Sequence, residues 1–139
     1  WRDVGSPEDV VEENINRLFS IHNDIKGELV NSQISGEVHL EEGAVIYNSV
    51  IRGPIAVGKN SIIKYSYIGP YTSIGKGVNI DKSIIENSII FDDCFISGVK
   101  VPIENSIIGE GSIINNEKGF KKANRFVIGK NTKISLSSS

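Results

Sequence analysis

Sulfur is almost missing from this sequence: its 139 residues include one cysteine, Cys94, and no methionine. A lone thiol excludes a disulfide scaffold and a cysteine zinc cluster, and it points to a cytoplasmic setting. Leucine is scarce as well, with only Leu18, Leu29, Leu40 and Leu136. Excess charge is absent; the formal net charge of −2 argues against a general binder of nucleic acid or of membrane surfaces. No apolar run approaches the roughly 18 residues of a membrane span, and no stretch reads as a secretory signal. A chain that lacks methionine and opens on Trp1 reads as a segment of a longer protein. What is abundant is equally telling. The aliphatic residues are dominated by 24 isoleucines and 12 valines, and hydrophobic residues make up 39% of the chain against 23% charged, the balance of a globular fold. β-Branched side chains suit pleated, half-buried surfaces, so most of the chain should be strand.

An internal repeat decides the architecture. Leu29, Ile46, Ile63 and Ile80 are spaced by 17 residues, as are Ile34, Ile51, Ile68 and Ile85, and Leu40, Val57, Ile74 and Phe91. The phrase between the first two series keeps a serine at one place: Ser32, Ser49, Ser66 and Ser83. It returns as Ile103-Glu-Asn-Ser-Ile-Ile108, 23 residues after Ile80, which implies a six-residue insertion. Seventeen divides into six, six and five, as from Leu40 to Ile46, Ile51 and Val57. Three short sides per turn describe a triangular coil that buries its aliphatics only against its neighbours. Recurrent corners such as Gly58-Lys-Asn-Ser61, Gly75-Lys-Gly-Val78 and Gly109-Glu-Gly-Ser112 place Gly or Asn third, where a positive φ is best tolerated. Their recurrence makes them turn chemistry rather than a phosphate-cradling loop. Counting by 17 puts Cys94 on the corner position of Gly43, Asn60 and Gly77, a structural role.

The units Ile68-Gly-Pro-Tyr-Thr-Ser73 and Ile128-Gly-Lys-Asn-Thr-Lys133 spell a hexapeptide repeat, and residues 29–136 resemble the left-handed parallel β-helix family. The implied fold is all-β, a triangular solenoid of about six coils; its hand comes from the resemblance. The pattern slackens at 97–102 and 115–126, resumes from Val127 to Leu136, and leaves 137–139 as a polar tail. Ahead of it, Ser6-Pro7-Glu8-Asp9 is a helix start, with a cap, a proline at the first helical position and acids at the positive end of the dipole. Val11, Ile15, Leu18, Phe19 and Ile25 recur with helical spacing, which predicts a helix over 7–23 and then a linker to Gly27. Its apolar stripe must pack on the first coils or on another domain.

Trp1-Arg-Asp-Val-Gly-Ser-Pro-Glu-Asp9, followed by Asn14, resembles the segment that closes the catalytic domain of sugar-1-phosphate nucleotidyltransferases. The stretches Asn48 to Pro54, Asn60 to Gly75 and Arg125 to Asn131 are similar to the long, archaeal-type glucose-1-phosphate thymidylyltransferases. The opening spelling is also at home in ADP-glucose pyrophosphorylases. The resemblance makes residues 1–28 the end of a catalytic domain with its helix and linker. It implies a parent enzyme that joins a nucleoside triphosphate to a sugar 1-phosphate, with Mg2+ held in part by Asp3. The glycine-rich nucleotide loop and second aspartate of that chemistry do not occur in this sequence. No catalytic residue is therefore assigned within it, and the segment is expected to be inactive alone.

Other readings stay open. Many left-handed β-helices are acyltransferases with a histidine base. Here only His22, in the helix, and His39, at a coil corner before Leu40, are available, and two histidines cannot supply a three-histidine zinc site. A regulatory subunit that has lost catalysis is a third reading. Lys118, Lys121, Lys122 and Arg125 around Phe120 form a candidate anion or effector loop. Tyr47, Tyr65, Tyr67 and Tyr71 fall on neighbouring coils as a candidate interface. The expected partners are copies of the chain itself, as a trimer, and the missing catalytic domain, with no nucleic acid and no membrane.

Overall fold

The computed structural model describes residues 7–19, 23–99, 101–116, 127–128 and 133–136. Among the described residues helix α1 (Pro7–Phe19) is followed by nineteen short strands, numbered in chain order, that wind into three parallel sheets. The first face stacks β1 (Asp24–Ile25), β4 (Val38–Leu40), β7 (Ile55–Val57), β10 (Thr72–Ile74), β13 (Ile89–Ile90), β16 (Ile107–Ile108) and β18 (Val127–Ile128). The second stacks β2 (Glu28–Val30), β5 (Val45–Tyr47), β8 (Ile62–Lys64), β11 (Asn79–Asp81), β14 (Phe95–Ser97), β17 (Ile113–Asn116) and β19 (Lys133–Leu136). The third holds β3 (Gln33–Ser35), β6 (Val50–Arg52), β9 (Tyr67–Ile68), β12 (Ile84–Glu86) and β15 (Ile103–Glu104). Every described pairing is parallel, and β2 to β16 make five complete coils. The triangular solenoid read from the 17-residue period is the observed fold.

Three ladders of aliphatic residues fill the prism. Ile46, Ile63, Ile80, Ile96 and Ile114 point in from the second face, all at 0% exposure. Ile51, Ile68, Ile85 and Ile103 do so from the third, and Leu40, Val57, Ile74, Ile90 and Ile108 from the first. Each buried side chain contributes about 1.5–3 kcal/mol of transfer free energy, realised only because the coils above and below cover it.

The corners carry hydrogen bonds of their own. Between the second and third faces the Oγ of Ser32, Ser49, Ser66 and Ser83 accepts the backbone N–H of Ser49, Ser66, Ser83 and Val99 respectively, each at 3.1 Å. Ser66 also donates its hydroxyl to the carbonyl of Lys64 at 2.8 Å. The residue before each serine is left-handed: Asn31 (φ 49°), Asn48 (47°), Tyr65 (51°) and Lys82 (50°). Asparagine tolerates that region, and at the first two coils it adds a side-chain bond, Asn31 Nδ2 to Asn48 Oδ1 at 2.6 Å.

Strict counting by 17 fails after Ile85. One residue, Asn87, turns the corner that Gly53-Pro54 and Pro70-Tyr71 turn with two, so Ile74 pairs with Ile90 and not with Phe91. Phe91 lies outside at 38% exposure. The same lost residue moves Cys94 off the Gly43, Asn60, Gly77 row, whose next member is Asp93 with φ 59°. Cys94 is instead buried level with Val78, its thiol donating to the Gly109 carbonyl at 3.1 Å. The repeated phrase at 103–108 stacks on Ile85 to Ile90, and Ser106 follows Ser88 rather than Ser83. The six-residue insertion thus resolves into one residue lost at Asn87 and two gained between Ile96 and Ile103. The expected linker also carries strand: Asp24 and Ile25 pair with His39 and Leu40, and Ile25 is 42% exposed rather than part of a helical stripe.

Candidate functional site

Helix α1 lies against the third coil, and polar groups fix it there. Ser73 points outward from the middle of β10, and its Oγ donates to Asn14 Oδ1 at 2.5 Å. Arg17 donates to Ser73 Oγ at 2.7 Å and to Asn14 Oδ1 at 3.1 Å, while Asn14 Nδ2 donates to the Tyr71 carbonyl at 3.3 Å. Asn14 and Ser73 are 5% and 7% exposed, and Arg17, itself exposed, completes their hydrogen bonds, so the two buried polar side chains are satisfied. Leu18 is buried beside it. Leu18 belongs to the predicted apolar stripe, whereas the hydrogen bonds to the solenoid, a polar clamp, come from Asn14 and Arg17, which lie outside that stripe. A helix face that reads as polar in sequence gave no signal of this, because its partners are 56 to 59 residues away.

Beside the clamp an open cleft of about 560 Å³ runs along the first face. Arg17 forms one wall, His39 and Glu41 one end, Phe91 and Asp92 the other, with Ala56 and Ser73 among the floor residues. Small residues at the middle coils create the hollow. His39 sits mid-strand in β4, between Val38 and Leu40, and not at a corner; alternation along the strand turns it outward. Its Nε2 is 2.8 Å from Glu41 Oε1, and its Nδ1 is 3.9 Å from Asp24 Oδ2.

That hydrogen bond from His39 holds the Glu41 carboxyl below its ordinary 4.5, with Lys26 and Lys59 acting the same way and desolvation opposing. A depressed folded-state value stabilises the fold above the unfolded value and is lost as pH falls through the folded one. Acid unfolding below about pH 5 should accordingly be less steep in Glu41→Gln, read as thermal midpoints along a pH series.

Two of the four tyrosines are in direct contact. Tyr47 and Tyr65 meet edge-to-face, ring centroids 5.6 Å apart at 84°, and are 38% and 52% exposed. Tyr67 is half-buried in β9, and Tyr71 turns the corner beneath α1. Burial pushes the Cys94 thiol up, against the pull of the Ser112 and Gly111 backbone. Asp3, His22 and the loop cations Lys118, Lys121, Lys122 and Arg125 lie outside the described residues. Among the described residues no three His, Cys, Asp or Glu side chains gather to hold a metal ion, and no helix is long and apolar enough to cross a membrane. One carboxylate such as Asp3 does not by itself make a magnesium site.

The repeat, the prism and the serine corners have their counterpart in a known family: residues 16–98 match the family described as "GlmU-like, C-terminal hexapeptide". The chain belongs to that family. It is 35% identical over 139 residues to the glucose-1-phosphate thymidylyltransferase of Streptomyces antibioticus, covering 99% of this chain and 39% of that protein. It is 31% identical to the low-salt glycan biosynthesis nucleotidyltransferase Agl11 of Haloferax volcanii, over 98% of this chain and 39% of the relative. The bifunctional protein GlmU of Methanocaldococcus jannaschii is 40% identical over 79% of the chain and 28% of its own length. A hexapeptide transferase family protein from Anaplasma phagocytophilum shares the fold, with a TM-score of 0.66, 22% identity, and coverage of 84% of this chain and 74% of its own. The chain thus spans about 39% of the length of the thymidylyltransferase relative.

Proposed function

We propose that this chain is the C-terminal assembly and docking domain of a sugar-1-phosphate nucleotidyltransferase, and specifically of a glucose-1-phosphate thymidylyltransferase. The observation that carries the reading is the alignment of nearly the whole chain, helix included, with 39% of such an enzyme. In the parent reaction an oxygen of glucose 1-phosphate attacks the α-phosphorus of dTTP. The bond to the β-phosphate breaks, and dTDP-glucose and pyrophosphate leave. Mg2+ and the nucleotide loop belong to the remaining part, which works in the cytoplasm. The solenoid contributes flat faces for cyclic self-association, a trimer, and α1 sets the angle at which the catalytic part leaves the prism.

Two measurements test this. Pyrophosphate release from dTTP and glucose 1-phosphate should be at background for the chain alone and restored in the parent protein. Sedimentation equilibrium of the chain should give a closed oligomer. Turnover by the chain alone would overturn the division of labour, and a monomer at all concentrations would overturn assembly. The His39–Glu41 pair, facing the cleft at 2.8 Å, supports acyl transfer as a second reading. Loss of acetyl-coenzyme A in the presence of an amino sugar, abolished by His39→Ala, is its test.

A further inference from the structure

The cleft beside α1 has a chemistry of its own. Its rim alternates in hydrogen-bonding character: Arg17 brings guanidinium donors, Glu41 and Asp92 bring carboxylate acceptors, and His39 lies next to Glu41. Two carboxylates stand against one guanidinium, so the rim disfavours an anion. Most of its lining surface is apolar, and the Phe91 ring stands at one end with 38% exposure.

The hollow is not a by-product of coil spacing alone. Gly58 and Gly75 are required by the close approach of successive coils, since a Cβ would fall 2.6 Å from the Gly75 carbonyl and 2.3 Å from Asp92 Oδ1 respectively. Ala56 points outward from β7 between His39 and Ser73, where any longer side chain would fill the floor.

We propose that this cleft binds a neutral, hexose-sized polyol. Hydroxyl groups are the ligand chemistry that both donates and accepts. They donate to the Glu41 and Asp92 carboxylates and accept from Arg17, in addition to the bonds these groups already make to His39, to the Lys76 amide and to Asn14 and Ser73, while a C–H face of the ring rests on Ala56 and against Phe91. A volume of about 560 Å³ accommodates a single ring of this kind. The site does not depend on the parent reaction proposed above.

The test is a titration of the isotope-labelled full chain with glucose, followed by amide chemical shifts, with inorganic phosphate as a parallel probe. Saturable shifts are expected at Ala56, Ser73 and Phe91, with a dissociation constant on the order of millimolar. Ala56→Phe, which fills the floor, should weaken binding at least about tenfold, and Phe91→Ala about fivefold. The amides of Ser49, Ser66 and Ser83 report that each variant remains folded. No saturable shift up to about 100 mM glucose, roughly a hundredfold above the expected constant, would overturn the proposal. So would unchanged binding in folded Ala56→Phe, or phosphate binding the same amides more tightly than glucose.

Discussion

Truncating Ile68 to alanine should lower the free energy of unfolding by about 2–5 kcal/mol, toward the upper end of that range. Ile68 is fully buried in the third-face ladder, paired with Ile51 on one side and Ile85 on the other. Its neighbours cannot close the gap by sliding, because the coils on both sides are held by backbone hydrogen bonds such as Gly69 N–H to the Ile85 carbonyl at 2.7 Å. Urea unfolding followed by circular dichroism reads the effect. The comparator is Ile62→Ala, whose side chain is 38% exposed on the second face and whose loss should cost about 1 kcal/mol or less. Equal effects at the two sites would contradict the assignment of inward and outward rows.

The second large effect is expected at a polar atom. Ser66→Ala should destabilise by about 1–3 kcal/mol although it removes a single oxygen. That oxygen accepts the N–H of Ser83 and donates to the Lys64 carbonyl, at a corner where Ser66 is 6% exposed and Ser83 is 1% exposed. Alanine leaves the Ser83 N–H buried without its acceptor. Amide exchange distinguishes this from a general loss of packing: the Ser83 amide should lose protection before the Ser49 amide, which depends on Ser32 one coil away. Protection lost equally at both would mean that the row acts only through the global fold.

Much of this was legible because the coil stacks like on like. The Ile34, Ile51, Ile68, Ile85 series predicts its own register, and the structure pairs those residues as the spacing requires. The legibility fails wherever a corner changes length. A lost residue at Asn87 shifts every later position, and isoleucine runs hide the slip, because Ile89, Ile90 and Phe91 are all acceptable inward residues by hydrophobicity. The serine corners hide the slip for the same reason: Asn-Ser occurs at two different corners, and Asn105-Ser106 stacks on Asn87-Ser88 although its spelling equally suits the Ser83 row. The clamp and the cleft were unreadable for another cause. They join α1 to β10 across the chain, and no periodicity couples positions so far apart. A trace does exist in retrospect: the outward row of the first face runs His39, Ala56, Ser73, Ile89, and its dip in size marks the hollow.

The grip of Asn14 and Arg17 on the third of five complete coils has a geometric corollary. Duplicating a coil after β13 would extend the far tip of the prism by about 4.8 Å and leave the helix where it is. Duplicating one before β10 would instead push the near tip past the helix by the same step. Reach on either side of the joint therefore changes only in whole increments, and independently, so the solenoid serves as a ruler whose zero mark is the helix.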